Sequence, residues 1–224
     1  GRSYTEKWTK PPRILGSGMI RFMDSVCTSI YDRLWGHLEE GSANRRHAFH
    51  TPVLATRSAS GDPDLRTVVL RRVDRAQRVI CCHTDRRAPK VREIQASERV
   101  AWLFYDPASG VQIRAHGRCT VHTGADDPVA CDTWRGVHPD SRVCYAAPTA
   151  PSLELEQWES NQASNAREIA LTKPTPGDVP PDTFAVLATV LDSIEWLDLH
   201  HDGHQRVRFT LSDSASPSAQ WLAP

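Results

Sequence analysis

The sequence predicts a mainly β protein, a β-barrel with peripheral helices. About eight segments have the length and composition of β-strands, and most follow one another through short turns. The predicted helices are few and lack the regular strand–helix alternation of a parallel sheet. The chain of 224 residues contains 16 prolines and 12 glycines, which indicates many turns. These three observations favour an antiparallel barrel.

The N-terminal half is predicted to begin with a long helix, which Gly41 is expected to end. Apolar residues recur there three or four positions apart, as on one face of a helix: Ile20, Met23, Val26, Ile30, Leu34 and Leu38. Strands are predicted at residues 48–57, 65–73, 78–84, 100–105 and 111–122, and a short helix at 88–96.

The C-terminal half is predicted to open with another helix, in which Pro128 follows Asp127 in the first turn. This helix should run to about Gly136. A proline-rich loop (138–152), a partly helical stretch (153–171) and a connector (173–182) are expected next. The last strands are predicted at 184–191, 194–199, 206–211 and 220–222.

Charge and hydropathy exclude several functional classes. Lys plus Arg and Asp plus Glu both number 27, so the formal net charge is zero, and we expect no nucleic-acid partner bound through a basic surface. No segment approaches the roughly 20 apolar residues that span a bilayer, and residues 1–18 lack the apolar core of a signal peptide. We therefore expect a cytoplasmic protein without a membrane partner. Residues 1–18 are interpreted as an N-terminal extension or a vector-derived segment, with Met19 as an alternative start, and residues 19–224 as a single domain.

The cysteines and histidines do not predict a metal site. None of the six cysteines forms a C-x-x-C pair, and reduced, mostly buried thiols are expected. Adjacent Cys81 and Cys82 should point to opposite faces of a strand. A cluster of His200, His201 and His204 surrounds an Asp-Gly pair typical of a hairpin turn. We expect no metal there, and none at His47 and His50.

Two basic segments predict a phosphate site. Arg66 and Arg71 bracket a β-branched strand, and a planar guanidinium suits phosphate. Thr84 ends the next strand, and Lys90 lies in the first turn of the helix that follows. Helix N-termini attract anions. The chain has no glycine-rich nucleotide loop, so side chains must supply this site.

Taken in order, these segments resemble the pyridoxamine 5′-phosphate oxidase family. The family's R-x-V-x-L-K/R strand is matched by residues 66–71, and its aromatic–Thr strand end and helical Lys by His83, Thr84 and Lys90. Its Q-x-x-x-x-G strand is matched by residues 112–117, its I-E-aromatic strand by 194–196, and its closing W-x-x-x-P-like segment by 221–224. The resemblance runs from about residue 48 to the end of the chain, and it lies in the order and spacing of the motifs.

The resemblance implies a split β-barrel that binds flavin mononucleotide (FMN). Arg66, Lys90 and Thr84 would hold the phosphate, the backbone of residues 68–70 would face the flavin ring, and Gln112 would bond its polar edge. The implied cofactor-binding set is Arg66, Thr67, Val68, Val69, Leu70, Arg71, His83, Thr84, Lys90, Gln112, Arg206 and Arg208. The family builds its site across a homodimer interface, so Arg206 or Arg208 would approach the flavin from the partner subunit.

The departures from the family concern the substrate. The true oxidase holds its substrate phosphate with a Tyr and an Arg on the helix at 127–136 and with a late Arg-x-His. Here those helix positions align with Thr133 and Val137, and residues 204–206 contain no Arg-x-His. Ser141 and Arg142 remain as candidate substrate contacts. The segment also resembles an oxidase-related branch of undefined substrate, through Trp134, Ser141, Arg142, Tyr145 and Pro148.

The sequence therefore predicts an FMN-binding flavoprotein, an oxidoreductase acting on an undefined small molecule. No side chain stands out as an essential acid or base, which fits chemistry supplied by a flavin. Two alternatives remain open at this point. One is a true pyridoxamine/pyridoxine 5′-phosphate oxidase, and the other is a non-catalytic flavin-binding module.

Overall fold

The computed structural model describes residues 23–200, 203–212 and 216–224. The strands are β1 (Val53–Arg57), β2 (Pro63–Thr67), β3 (Leu70–Asp74), β4 (Val79–Asp85), β5 (Arg99–Asp106), β6 (Val111–Thr123), β7 (Phe184–Asp198), β8 (Gln205–Thr210) and β9 (Ser218–Leu222). The helices are α1 (Ser25–Ala43), α2 (Pro89–Ala96), α3 (Pro128–Arg135), α4 (Pro139–Arg142) and α5 (Ala166–Leu171). Single 3₁₀ turns lie at Ala48–His50 and Val143–Tyr145.

The strands form one antiparallel sheet that closes on itself. Its main path is β2-β1-β5-β6-β7-β4-β3, and β8 and β9 extend from β7. The two ends of this path, β2 and β3, are joined in the chain by Val68 and Val69 alone. Because consecutive Cα atoms are 3.8 Å apart, Thr67 and Leu70 are separated by at most about 11 Å. The sheet must therefore curl until its ends meet, as the predicted barrel requires.

The barrel interior is one apolar cluster built from almost every strand. Its largest fully buried side chains include Trp102, Phe104, Trp196 and Phe209. Helix α1 packs its apolar face against this interior through the buried residues Ile30, Tyr31, Leu34, Trp35 and Leu38. Burial of side chains of this size stabilises a fold by roughly 1.5–3 kcal/mol each. The barrel is thus the rigid frame on which the candidate site is placed.

A second, smaller apolar cluster lies on the other face of β4 and β7. Trp134, Val137 and Tyr145 pack there against Phe184 and Val186. The first half of β7 is therefore buried on both faces, which explains its nearly continuous apolar run. Strand β4 shares this position, because Cys82 belongs to the barrel interior and Cys81 to the second cluster. The prediction that the two thiols point to opposite faces is confirmed, and all six cysteines are free, with five of them buried.

Several predicted boundaries were wrong. The predicted strand at 65–73 is two strands, β2 and β3, because the barrel closes at residues 68–69. The two predicted strands at 184–191 and 194–199 are the single strand β7, in which a shift of register opposite His116 and Gly117 accommodates Asp192. Residues 48–50 form a 3₁₀ turn before β1, and within the stretch 153–171 only α5 is helical.

Gly41 does not end the first helix. Helix α1 continues to Ala43, and Asn44 follows it as the C-cap residue. A Cβ atom at Gly41 would lie 2.9 Å from Cβ of Phe49, which is too close. Glycine is needed there because the 3₁₀ turn packs directly on the helix.

The predictions about membrane spans and metal sites can be compared with the structure only within the described residues. No helix within the described residues is long and apolar enough to cross a membrane. Among the same residues, no group of three or more His, Cys, Asp or Glu side chains could hold a metal ion. His201 and residues 1–22, which include the predicted extension and the start of the first predicted helix, lie outside the described ranges.

Candidate functional site

Helix α2 places an ammonium group beside the end of β4. Nζ of Lys90 donates to Oγ1 of Thr84 at 3.1 Å, and the Thr84 side chain is buried. Burial and then the nearby charge of Arg66 lower the pKa of Lys90. Lys90, Thr84 and Arg66, which the sequence predicts to act together, are therefore neighbours in the fold.

The Arg66 guanidinium is held by its own chain. Nη2 of Arg66 donates to Oε2 of Glu93 at 3.1 Å and also to Oδ2 of Asp64, while Nη1 donates to Oγ1 of Thr56. The Thr56 hydroxyl in turn donates to Oε2 of Glu93 at 2.5 Å. The Arg66 side chain is 19% exposed and that of Glu93 only 11%. We call Thr56, Asp64, Arg66, Lys90 and Glu93 the phosphate cluster.

The start of α2 offers further hydrogen-bond donors. Its N-cap residue, Ala88, has no side chain that could bond the first backbone N–H groups. Arg87 is not free for an anion, because it pairs with Asp85 at 2.7 Å and donates to the carbonyls of Ala147 and Pro148. An ammonium, a guanidinium, a hydroxyl and an uncapped helix start form a donor set that fits a phosphate monoester such as that of FMN.

A β-bulge directs two arginines toward one cavity. Leu70 pairs with Cys82 and Arg72 with Cys81, so Arg71 is an extra residue between them. Bulges re-aim side chains and are common beside active sites. A cavity of about 480 Å³ is lined by Arg71 and Arg72 together with His83, Pro128, Val129, Asp132, Thr133 and Gly136. It lies between the β3–β4 hairpin and α3, next to the residues 68–70 that the resemblance places against the flavin ring.

His83 is neutral in this cavity. Burial, and secondarily the charge of Arg71, lower its pKa to about 4. Its ring packs edge-on against Phe184, with the centroids 5.3 Å apart. At neutral pH the imidazole can therefore donate or accept a hydrogen bond without adding charge to the cavity.

A second group of predicted residues surrounds Glu195 on β7. Arg206 donates from Nε (3.1 Å) and Nη2 (2.7 Å) to Oε2 of Glu195, and Arg208 donates from Nε (2.9 Å) and Nη2 (2.7 Å) to Oε1. Arg114 lies 3.9 Å from the same carboxylate. Burial raises the pKa of Glu195, but the hydrogen bonds from the two arginines outweigh it, so the pKa lies below its usual value. We call Arg114, Glu195, Arg206 and Arg208 the arginine cluster.

The structure brings Gln112 to the arginine cluster and separates both from the phosphate cluster. Gln112 is opposite Leu197, which is opposite Arg206, so Gln112 and Arg206 share one sheet face. A row of paired residues crosses that face from Arg208 through Glu195, Arg114, Leu103 and Val53 to Thr67. Arg66 comes one residue before Thr67 and is paired with the buried Leu54, so it points to the opposite face of β2. The predicted cofactor residues therefore form two separate groups within one chain.

Neither predicted substrate residue, Ser141 or Arg142, is among the residues that line the cavity beside the bulge. Arg142 is buried, donates to the carbonyls of Val137 (3.1 Å) and Trp134 (2.8 Å), and pairs with Asp178 at 2.5 Å. These contacts tie α3, α4 and the connector together. Arg142 lines a different cavity of about 410 Å³ behind α3, so its contact with substrate, like that of Ser141, stays a prediction.

The sequence reasoning missed the two carboxylates that hold the arginines. Glu93 is three residues after Lys90 on α2, a spacing that puts both on one face of a helix. Glu195 is part of the quoted I-E-W motif. The available signals were a glutamate three residues after Lys90 and a glutamate inside a family motif. Neither glutamate was identified, because Arg66 lies 27 residues from Glu93 and Arg206 lies 11 residues from Glu195.

Comparisons with known proteins agree with this geometry. Residues 32–123 match the model of a family described as pyridoxamine 5′-phosphate oxidase, FMN-binding domain. A pyridoxine/pyridoxamine 5′-phosphate oxidase of Nitrobacter winogradskyi is 27% identical over 175 residues, 78% of this chain and 79% of that protein. A protein of the same name from Xylella fastidiosa is 41% identical over 69 residues, 30% of this chain. That match spans only 32% of the Xylella protein.

Two solved structures share the fold. A pyridoxamine 5′-phosphate oxidase-related, FMN binding protein from Nostoc punctiforme superposes with a TM-score of 0.70 at 21% identity, covering 87% of this chain and 97% of that one. PhzG from Burkholderia lata, in complex with tetrahydrophenazine-1-carboxylic acid, gives a TM-score of 0.64 at 18% identity, covering 88% and 92%. The predicted family resemblance, the split-barrel fold and FMN as the cofactor are confirmed.

Proposed function

We propose that the protein is a cytoplasmic, homodimeric, FMN-dependent oxidoreductase acting on a small anionic molecule. The proposal starts from the match of residues 32–123 to the FMN-binding domain of the pyridoxamine 5′-phosphate oxidase family. The observation that carries the proposal is the grouping of Lys90, Thr84 and Arg66 around a place for one terminal phosphate. Bound FMN supplies hydride or electron transfer through its ring. The chain's own residues bind the cofactor, orient it and shape the substrate cavity.

The separation of the two clusters supports a dimer. Gln112 and Arg206 lie with the arginine cluster on the outer sheet face, whereas Arg66 of the phosphate cluster points to the opposite face with Leu54. One flavin held by the phosphate cluster of one chain would meet Arg206 or Arg208 of the partner subunit. The outer sheet face between the clusters also exposes Leu103 (37%) and Tyr105 (47%), which a partner would cover.

The cavity beside the bulge supports an anionic substrate. Arg71 and Arg72 line it, with the neutral His83 and the hydroxyl of Thr133 as further hydrogen-bonding groups. Asp132 also lines the cavity, but it is exposed and paired with Arg135 at 2.6 Å, and Arg72 is paired with Asp74 at 3.1 Å. Among the described residues Arg71 has no such carboxylate partner, and one unpaired cation suits a singly charged group, such as a carboxylate, better than a dianionic phosphate.

A true pyridoxine/pyridoxamine 5′-phosphate oxidase is the second candidate, because the Nitrobacter relative with that name aligns over 78% of this chain. The deciding experiment begins with identification of the released cofactor. Tighter binding of FAD than FMN, or no flavin binding, would exclude both candidates. Anaerobic bleaching of bound FMN by a reduced substrate would then separate an enzyme from a non-catalytic carrier.

A further inference from the structure

The largely buried carboxylate of Glu93 takes no part in the proposed function. It lies in the phosphate cluster, where a second negative charge opposes the binding of a phosphate. Its side chain is only 11% exposed, whereas Asp64, the other carboxylate on Arg66, is 49% exposed. A buried charge is retained at a cost unless its partners compensate it, so the contacts of Glu93 require an explanation.

Three structural elements meet at this carboxylate. Oε2 of Glu93 on α2 accepts from the hydroxyl of Thr56 on β1 at 2.5 Å and from Nη2 of Arg66 on β2 at 3.1 Å. Strand β2 is an end of the main sheet path, and Arg66 reaches from it across to the helix. Without Glu93, Arg66 would keep Asp64 and Thr56 as partners but would lose its direct link to α2.

Helix α2 also fixes the distance between the two cationic groups. Lys90 and Glu93 are three residues apart on it and lie on one helical face. Lys90 is directed at Thr84, while Glu93 holds Arg66. Helix α2 thus fixes the position of the Lys90 ammonium directly and that of the Arg66 guanidinium through Glu93.

From these contacts we propose that Glu93 is a positioning residue for FMN, which orients Arg66 toward the flavin phosphate and so makes the site selective for FMN over riboflavin. This inference rests on the proposed binding of the flavin phosphate by Arg66 and Lys90. Arg66 bonds Glu93 directly, so its positive charge offsets part of the repulsion that Glu93 would exert on a bound phosphate. The role differs from packing alone, since it acts on a ligand group that riboflavin lacks.

The test measures dissociation constants of FMN and riboflavin by flavin fluorescence for the wild type and a series of variants. Glu93→Ala should weaken FMN binding about tenfold, the equivalent of one lost charge-assisted hydrogen bond, and leave riboflavin unchanged. Glu93→Asp keeps the charge but is one methylene too short, so it should lose FMN in the same way. Glu93→Gln keeps an acceptor for Thr56 and Arg66 and should restore binding to within about threefold of the wild type. Glu98→Ala, which removes an exposed glutamate paired with Arg118, should change neither ligand.

A double-mutant cycle tests whether Glu93 acts on FMN binding through Arg66. In an Arg66→Ala background, Glu93→Ala should cost no further FMN affinity, because the residue that it positions is gone. Equal losses of FMN and riboflavin in the Glu93 variants, or a gain of FMN affinity in Glu93→Ala, would overturn the inference. If Glu93→Ala does not fold, Glu93→Asp and Glu93→Gln decide. A wild type that binds riboflavin as tightly as FMN would instead overturn the phosphate site itself, and with it the inference.

Discussion

Both the phosphate cluster and the arginine cluster pair arginine with carboxylate, but the ratio of arginines to carboxylates is reversed between them. In the first, the single guanidinium of Arg66 is shared by Asp64 and Glu93, and Lys90 balances the second carboxylate. In the second, the single carboxylate of Glu195 is shared by Arg206 and Arg208, with Arg114 at 3.9 Å. The formal charges are therefore two positive against two negative in the first cluster, and three positive against one negative in the second.

Because of this difference in charge balance, the first cluster would act on a ligand mainly by orienting donors toward it, and the second mainly by attracting it. In a charge-balanced cluster, a ligand phosphate gains from donors that are already aligned, so small changes in geometry should matter. In a cluster with surplus positive charge, the carboxylate mainly keeps several guanidinium groups together on a sheet face, and an electron-rich ligand edge gains from their charge. The first is suited to the FMN phosphate and the second to the polar edge of the flavin ring.

The largest expected effect concerns pyridoxamine 5′-phosphate as a substrate. If the phosphate cluster holds the FMN phosphate, a substrate phosphate has only the bulge arginines and the hydroxyl of Thr133 in the cavity. Each missing charged contact costs on the order of 1.5–3 kcal/mol, so loss of two should lower kcat/KM by about a hundredfold or more. Pyridoxal 5′-phosphate formation by FMN-loaded protein under air, beside a genuine oxidase, measures this. A kcat/KM within about tenfold of that control would favour a true pyridoxine/pyridoxamine 5′-phosphate oxidase over the proposed function.

Arg66→Ala should discriminate the two clusters directly. Loss of the guanidinium should weaken FMN binding by about 10- to 100-fold while riboflavin binds as before. The matched change in the other cluster, Arg208→Ala, should affect FMN and riboflavin to the same extent, because it acts on the ring. Titration of both ligands into both variants measures the contrast. A riboflavin loss in Arg66→Ala as large as the FMN loss would remove the distinction between the clusters.

Glu195→Gln should reduce stability in a pH-dependent way. The buried carboxylate accepts four hydrogen bonds from two arginines, so its neutralisation should lower the free energy of unfolding by roughly 1.5–3 kcal/mol at pH 7. Burial raises its pKa, but the hydrogen bonds from the two arginines hold that pKa in the folded protein below the usual value of 4.5. The stabilisation is therefore complete above that value and is lost as the pH falls through the lowered folded pKa. Denaturant unfolding at pH 7 and at pH 4 should show the difference between wild type and variant shrinking; a constant difference would contradict this account.

Lys90 should give the smallest effect, a dependence of FMN affinity on alkaline pH. Burial lowers the pKa of Lys90 from 10.5, and its neutral form cannot make a charge-assisted bond to phosphate. FMN affinity should be complete below that lowered pKa and fall about threefold as the pH rises toward it. Riboflavin carries the same titrating ring and serves as the control. Lys90→Arg, whose guanidinium stays charged, should show no such fall.

The sequence predicted the parts of the molecule that local patterns determine. The periodicity of apolar residues located α1 and most strands, and strand ends next to a helix start located Lys90 and Thr84. The place at which the barrel closes was not predictable, because the β-branched run through Val68 and Val69 reads locally as one strand. The burial of Arg142 was also missed, since it depends on Trp134 and Asp178, which fold onto it from two other segments.

The pairing of charges was predictable only in part. Arg66, Arg206 and Arg208 were identified from the family motifs, but a motif does not show which carboxylate lies beside an arginine in the fold. Glu93 and Glu195 became visible only when α2 and β7 were placed against their neighbours.

Because only two residues link β2 to β3, the effect of a chain break on the barrel depends on where in this region the break falls. The barrel seam there is a covalent connection of Val68 and Val69, with the Val68 amide donating to the carbonyl of Pro52 at 2.9 Å. A circular permutant opened between these two valines would leave β2 and β3 as untethered ends of the sheet, at the segment that the family resemblance would place against the flavin ring. The same operation in the exposed turn at Ser60 and Gly61 would leave the seam intact. The chain thus has a tolerant and an intolerant place for new termini only a few residues apart.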